Sequence, residues 1–206
     1  MKPKMIAIGI LFFIIANSMK AEIYSQGADT QKKNEPSEII HEETVKEKEV
    51  VFNFPSSGLI IGLHENREAL RILGNGSPIG PPLNQTSRIN KNVFEWIASQ
   101  KQIKKIYLEI VFFNEHDAAV LEQLPHLEEI TLVNTNVGDK TIQHLSKMKS
   151  LKNVSIKMGN ITDRSISIFA HMTNLKYLVL DRNQFFPSDA ISSMKKSLPG
   201  ANIHVY

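Results

Sequence analysis

The strongest constraint on this chain is that its second half repeats itself every 24 residues. Leu127, Ile130 and Leu132 recur as Leu151, Val154 and Ile156, and again as Leu175, Leu178 and Leu180. Ile103, Ile106 and Leu108 stand one interval earlier. A second set keeps the same step: Phe113, Ala118, Leu121 and Leu124, then Val137, Ile142, Leu145 and Met148, then Ile161, Ile166, Phe169 and Met172. A fixed period in this range marks units too small to bury their own apolar faces, which must therefore stack on one another.

Two spacings occur inside one unit. Counting from the opening residue, positions 4 and 6 alternate as in a strand, whereas positions 16, 19 and 22 follow helical spacing. Gly138-Asp139 and Thr162-Asp163 lie between the two patterns, and an aspartate there is expected to cap the helix by accepting from its free N–H groups. Each unit is thus predicted to run strand, turn, capped helix, return loop, with parallel strands side by side. The pattern extends in both directions. Ile89, Phe94 and Ile97 fall in the columns of a preceding unit, whose strand half around Ile79 contains Pro81 and Pro82. Prolines cannot donate to a ladder, so this is predicted to be a capping unit. At the far end Phe185, Phe186 and Pro187 carry one inserted residue. Ile191 and Met194 then resume the helical columns, and Ile203 to Tyr206 supply a final strand.

The stretch from Leu127 to Asp139 resembles the unit of the leucine-rich-repeat family, and the helix-bearing 24-residue form is similar to exported leucine-rich-repeat proteins of planctomycete-type bacteria. The resemblance covers roughly residues 79–206. It implies an α/β fold: a short solenoid with parallel strands on a concave side, helices on a convex side, and an N-terminal β-hairpin and capping region. The family's Asn or Thr after the strand is matched by Asn183 and Thr135 but replaced by Val111 and Gly159, so the side-chain ladder at that edge is expected to be interrupted.

Four regions are expected along the chain. Residues 1–18 read as a secretory signal: Lys2 and Lys4 precede the apolar run from Met5 to Ala16, followed by small residues. Twelve helical residues reach about 18 Å, short of the ~30 Å hydrocarbon core; an uncleaved membrane anchor is the alternative. Residues 19–49 carry charges of both signs and no persistent apolar face, as a disordered linker does. Residues 50–102 hold a β-hairpin (Val50 to Phe54 and Leu59 to Leu63) and the capping unit. Between them, Glu65 to Leu73 fits a short helix or a third strand. Residues 103–206 are the repeat domain. Export predicts a secreted or periplasmic, cell-envelope protein.

Catalytic chemistry finds little support. The formal charge of +3 includes Lys2 and Lys4, and no long basic run suggests nucleic acid. There is no cysteine, which excludes thiolate chemistry and disulfides. His64-Glu65 and Glu68 hold half of a zinc-protease motif without its second histidine, and read as an exposed charged turn of helix. Gly74 and Gly76 do not complete a phosphate loop, and no nucleophile elbow occurs. His116, His126, His144 and His171 share no column. No catalytic residue, metal or cofactor is therefore expected.

A partner surface is expected on the sheet face opposite the core. Position 3 gives Lys105, Glu129, Asn153 and Tyr177; position 5 gives Tyr107, Thr131, Ser155, Val179 and His204; position 7 gives Glu109, Val133, Lys157, Asp181 and Tyr206. Tyrosines favour interfaces, and Lys105 beside Glu129 and Lys157 beside Asp181 are expected to pair across strands. The expected function is non-enzymatic binding of a protein or peptide; self-assembly as a structural component is the alternative.

Overall fold

The computed structural model describes residues 50–54, 59–74, 87–183 and 185–206. The expected signal segment, the expected linker, the expected turn at 55–58 and residues 75–86 lie outside the described residues. The chain divides into two units, 1–35 and 36–206, and every described residue belongs to the second. Its elements are β1 (Val50–Phe54), β2 (Leu59–His64), β3 (Ala69–Gly74), β4 (Arg88–Ile89), α1 (Lys91–Ser99), β5 (Lys105–Glu109), β6 (Phe112–Phe113), a 3₁₀ helix (Asp117–Gln123), β7 (Glu129–Val133), α2 (Asp139–Leu145), β8 (Asn153–Lys157), α3 (Asp163–Phe169), β9 (Tyr177–Asp181), α4 (Ser188–Ser197) and β10 (Asn202–Val205).

The fold is α/β, with an open and mostly parallel sheet. Eight strands run in the order β1-β2-β3-β5-β7-β8-β9-β10. The first three form an antiparallel meander, and every later pairing is parallel. Lys105, Glu129, Asn153 and Tyr177 are cross-strand partners at the 24-residue step, and Tyr177 meets Asn202 one residue later than that step. The extra residue lies in the loop after β9: Phe186 is buried, and Phe185 is pushed out to 93 % exposure.

Two apolar columns cross the sheet. Leu63, Leu70, Ile106, Ile130, Val154, Leu178 and Ile203 form one; Ile61, Ile72, Leu108, Leu132, Ile156 and Leu180 form the other. All are buried, and they pack in one core with Ile142, Leu145, Ile166 and Phe169 from the helices. The position-4 and position-6 pattern therefore selects the face that the helices cover.

Several local expectations need correction. Of the two alternatives for Glu65 to Leu73 the strand is found, as Ala69–Gly74, while residues 65–68 make a turn and not the turn of helix expected around His64-Glu65. β3 stands 36 residues before β5 in the ladder, Ala69 opposite Lys105. The position 24 residues before Lys105 is Pro81, which cannot donate, so the chain supplies a different strand there. The preceding unit still contributes β4, which pairs with β6, and the buried Ile89, Phe94 and Ile97 of the capping columns. The first full unit has a 3₁₀ helix where an α-helix was expected. Pro125 follows closely and disfavours helical geometry at Leu124, which limits the segment to a short piece of the tighter helix.

Asp139 does not cap its own helix. It is the first residue of α2, and Gly138 precedes it as the cap without a side-chain bond. Its carboxylate instead accepts from Thr162 N (3.0 Å), Thr162 Oγ1 (2.7 Å) and Ser165 Oγ in the next unit. Thr162 caps α3 by accepting from Arg164 N. The aspartate is thus a staple between units. One more feature recurs: Ile110, Asn134, Met158 and Arg182 all have positive φ, between 50° and 55°. Each is position 8 of its unit, where a left-handed residue ends the strand and turns the chain toward the helix.

Candidate functional site

The face of the sheet opposite the helices brings together the residues picked out by strand alternation. The middle column is Tyr107, Thr131, Ser155, Val179 and His204, with one member per strand from β5 to β10. Lys105, Glu129, Asn153 and Tyr177 flank it on one side, and Glu109, Val133, Lys157 and Asp181 on the other. All of them are half-buried or exposed, against the near-zero exposure of their inward neighbours.

Aromatic groups stand at both ends of this face. At one end, the Tyr107 hydroxyl donates to Glu109 Oε2 at 3.2 Å. Arg71 of β3 lies with Cζ 5.1 Å from the Tyr107 ring centroid and with a guanidinium nitrogen 3.8 Å from Glu109 Oε2. Burial, helped by the Glu109 charge and opposed by Arg71, pushes the Tyr107 phenol far above its ordinary range, so it stays protonated and available as a donor. At the other end, the Tyr177 and His204 rings are 5.7 Å apart, and the His204 and Tyr206 rings stack at 6.0 Å. Thr131, Ser155 and Val179 between them are small. The face thus carries an arginine–tyrosine pair at one end and a tyrosine–histidine cluster at the other.

The charge pairing differs from expectation in one place. Lys157 does face Asp181, at 3.9 Å. Lys105, however, pairs with Glu65 at 2.6 Å, and that hydrogen bond is the main reason its pKa is raised. Glu68 holds Lys104 at 2.7 Å, and its carbonyl accepts from Lys104 N and Lys105 N. The β2–β3 turn is therefore laced to β5, and both carboxylates of the half-motif are committed to lysines. Among the described residues no group of three or more His, Asp or Glu is arranged to hold a metal. His144, on the helix side, contacts Glu122 at 2.6 Å, and Lys147 reaches the same oxygen at 2.8 Å.

Two contributors escape a reading of the sequence. Arg71 shares the middle column with Tyr107; the alternation of Leu70 and Ile72 points to it once Ala69–Gly74 is taken as a strand. Asn136 spans units by accepting from Phe113 N (2.9 Å) and donating to Phe113 O (2.7 Å). Asn183 does the same between Gly159 N and Ile156 O. Thr135, expected in that role, only accepts from Val137 in its own loop. The inter-unit bonding at that edge is carried by asparagines one position apart.

No protein-family model matches the chain. Part of it is similar to two curated proteins, both named ATP synthase subunit s, mitochondrial, from Homo sapiens and Pongo abelii. Each match is 36% identical over 66 residues, 29% of this chain and 33% of the relative. The chain thus spans about a third of the length of the relatives it matches. The finding corrects one expectation. Lys2, Lys4 and the apolar run point to a secreted or periplasmic location, but both relatives are mitochondrial by name. No helix among the described residues is long and apolar enough to cross a membrane.

Proposed function

We propose that the chain is a non-catalytic binding module of the leucine-rich-repeat kind, working in mitochondria, with the open sheet face as its partner surface. The observation that carries this reading is the register from β3 to β10. It gathers Arg71, Tyr107, Tyr177 and His204 onto one face, although 133 positions (204 less 71) separate the outermost pair. The solenoid reading is supported by the 24-residue offset of successive parallel strands and by the recurring left-handed turn after each of them. On this reading the open face is the concave side. A protein or peptide is the ligand class that suits it, because Tyr and Arg are favoured interface anchors.

The mitochondrial setting is supported by the 66-residue similarity. The names of the relatives make an ATP synthase component a reasonable first candidate for the partner. The test is capture from a mitochondrial extract with the immobilised chain. A discrete protein should be retained by the wild type and lost with the double variant Tyr177→Ala, Lys157→Glu. Equal retention by the two chains would remove the open face as the binding surface.

A further inference from the structure

A second surface lies at the N-terminal ends of the strands, where the return loops sit. Position 2 of the units forms a column there: Lys104, Glu128, Lys152 and Lys176. It is neutralised pairwise, Lys104 by Glu68 at 2.7 Å and Lys152 by Glu128 at 2.8 Å. Lys176 comes next, and the following strand offers only Ala201. The segments from Lys147 to Lys152, His171 to Lys176 and Lys195 to Ala201 contain six lysines and no Asp or Glu. Lys147 is paired with Glu122, but Lys149, Lys176, Lys195 and Lys196 have no ion pair among the described residues. Lys195 and Lys196 lie in the last turn of α4 and offset its dipole. Lys149 and Lys176 remain as excess positive charge. Together with Lys152 they line an open groove of about 530 Å³, which also presents Thr173, Asn174 and Ser197.

We propose that this edge docks on the phosphate groups of an anionic phospholipid surface. The groove residues favour that occupant over an acidic peptide. The lysines are spread over three successive return loops along one edge, a row that matches an extended charged surface, and lysine ammoniums are point charges that tolerate variable phosphate geometry. The Thr173 hydroxyl adds a donor for phosphate oxygens, whereas Asn174 Nδ2 already donates to Lys149 O at 2.9 Å and the Ser197 hydroxyl to Ser193 O at 3.2 Å. The two large hydrophobic side chains exposed among the described residues, Phe185 and Tyr206, lie at the opposite ends of the strands. No described residue at the basic edge therefore wedges into hydrocarbon, and adhesion is electrostatic. Each lysine at an anionic surface contributes about fivefold in partitioning, and salt screens it within a Debye length.

The experiment is co-sedimentation of the full chain with phosphatidylcholine vesicles, with and without phosphatidylglycerol, at low and high salt. Binding should require phosphatidylglycerol and weaken with salt. The double variant Lys149→Ser, Lys176→Ser should lose roughly 25-fold. Lys140→Ser, at the other ends of the strands, should bind as the wild type does, and circular dichroism melts of all three proteins should coincide. Equal sedimentation with neutral vesicles would overturn the proposal, as would an unaffected double variant. Displacement by soluble glycerol phosphate at matched phosphate concentration would do the same, since that marks a discrete phosphate pocket. Tighter binding to polyglutamate than to vesicles would reassign the edge to an acidic protein.

Discussion

The parallel run from β5 to β10 and the antiparallel meander β1–β3 build one sheet by different means. In the run, each strand arrives after a crossover of nearly constant length, so the register follows from counting residues. In the meander, the register depends on the turn at residues 65–68 and on the seam with β5, where Glu68 bonds to the backbone of Lys104 and Lys105. Yet the same two apolar columns pass through both regions without a break. The core needs an apolar side chain at the right height and is indifferent to how the chain brought it there. That is why β3 can stand where the proline-bearing segment could not.

If the two regions share one core, truncating a column should cost as much in the meander as in the run. Ile72→Ala and Ile156→Ala remove side chains of 0 % exposure, and each should lose roughly 2–5 kcal/mol of stability in urea unfolding, with a single transition. Lys157→Ala should cost about 0.5 kcal/mol or less. A small effect at Ile72 alone would make the meander a loosely attached cap.

The seam is tested next. A Cβ at Gly74 would fall on the carbonyl oxygen of Ile110, a backbone atom that cannot swing aside. Gly74→Ala should cost about 1–3 kcal/mol, read as a lower thermal midpoint.

Within the run, the Asp139 staple should show in the pH dependence. Burial pushes this carboxyl up, but the hydrogen bonds from Ser165 and Thr162 outweigh it and leave the pKa below the ordinary 3.8. A folded pKa below the unfolded one stabilises the protein fully above the unfolded value, and the contribution is lost as pH falls through the folded value. Wild type and Asp139→Ala should therefore differ at neutral pH by about 1–2 kcal/mol and converge in acid below pH 3.8. A constant difference would show that the carboxylate charge is irrelevant. A small gain is expected at Arg182, exposed and left-handed with φ 52°. Arg182→Gly should gain about 0.5 kcal/mol, since relief of the left-handed strain slightly exceeds glycine's entropy cost.

Legibility in the sequence divides along the same line. Stacking of Leu132, Ile156 and Leu180, and the outward column from Tyr107 to His204, can be read from spacing because a strand fixes which face each side chain takes. Val50 to Leu63 is readable as two strands from apolar runs around a turn cluster. The strand from Ala69 is ambiguous because Glu65 to Glu68 is polar and the next apolar residues are few. Its outward residue, Arg71, is lost with it. Side-chain partners are less accessible still. Glu129 is the register neighbour of Lys105, but Glu65 reaches it from a turn 40 positions away, and no periodicity encodes that approach. Asp139 reads as a cap from its local setting, whereas its partners lie a full unit downstream.

Whether binding belongs to the open face or to the helices is decided most directly by affinity for the captured partner. Titration of wild type, Tyr177→Ala and His144→Ala should give a loss of about 1–3 kcal/mol for the tyrosine, as for other interface aromatics, and no change for the histidine, which faces Glu122 on the helix side. Unchanged affinity for Tyr177→Ala together with a loss for His144→Ala would contradict the open-face assignment and move the partner to the helices.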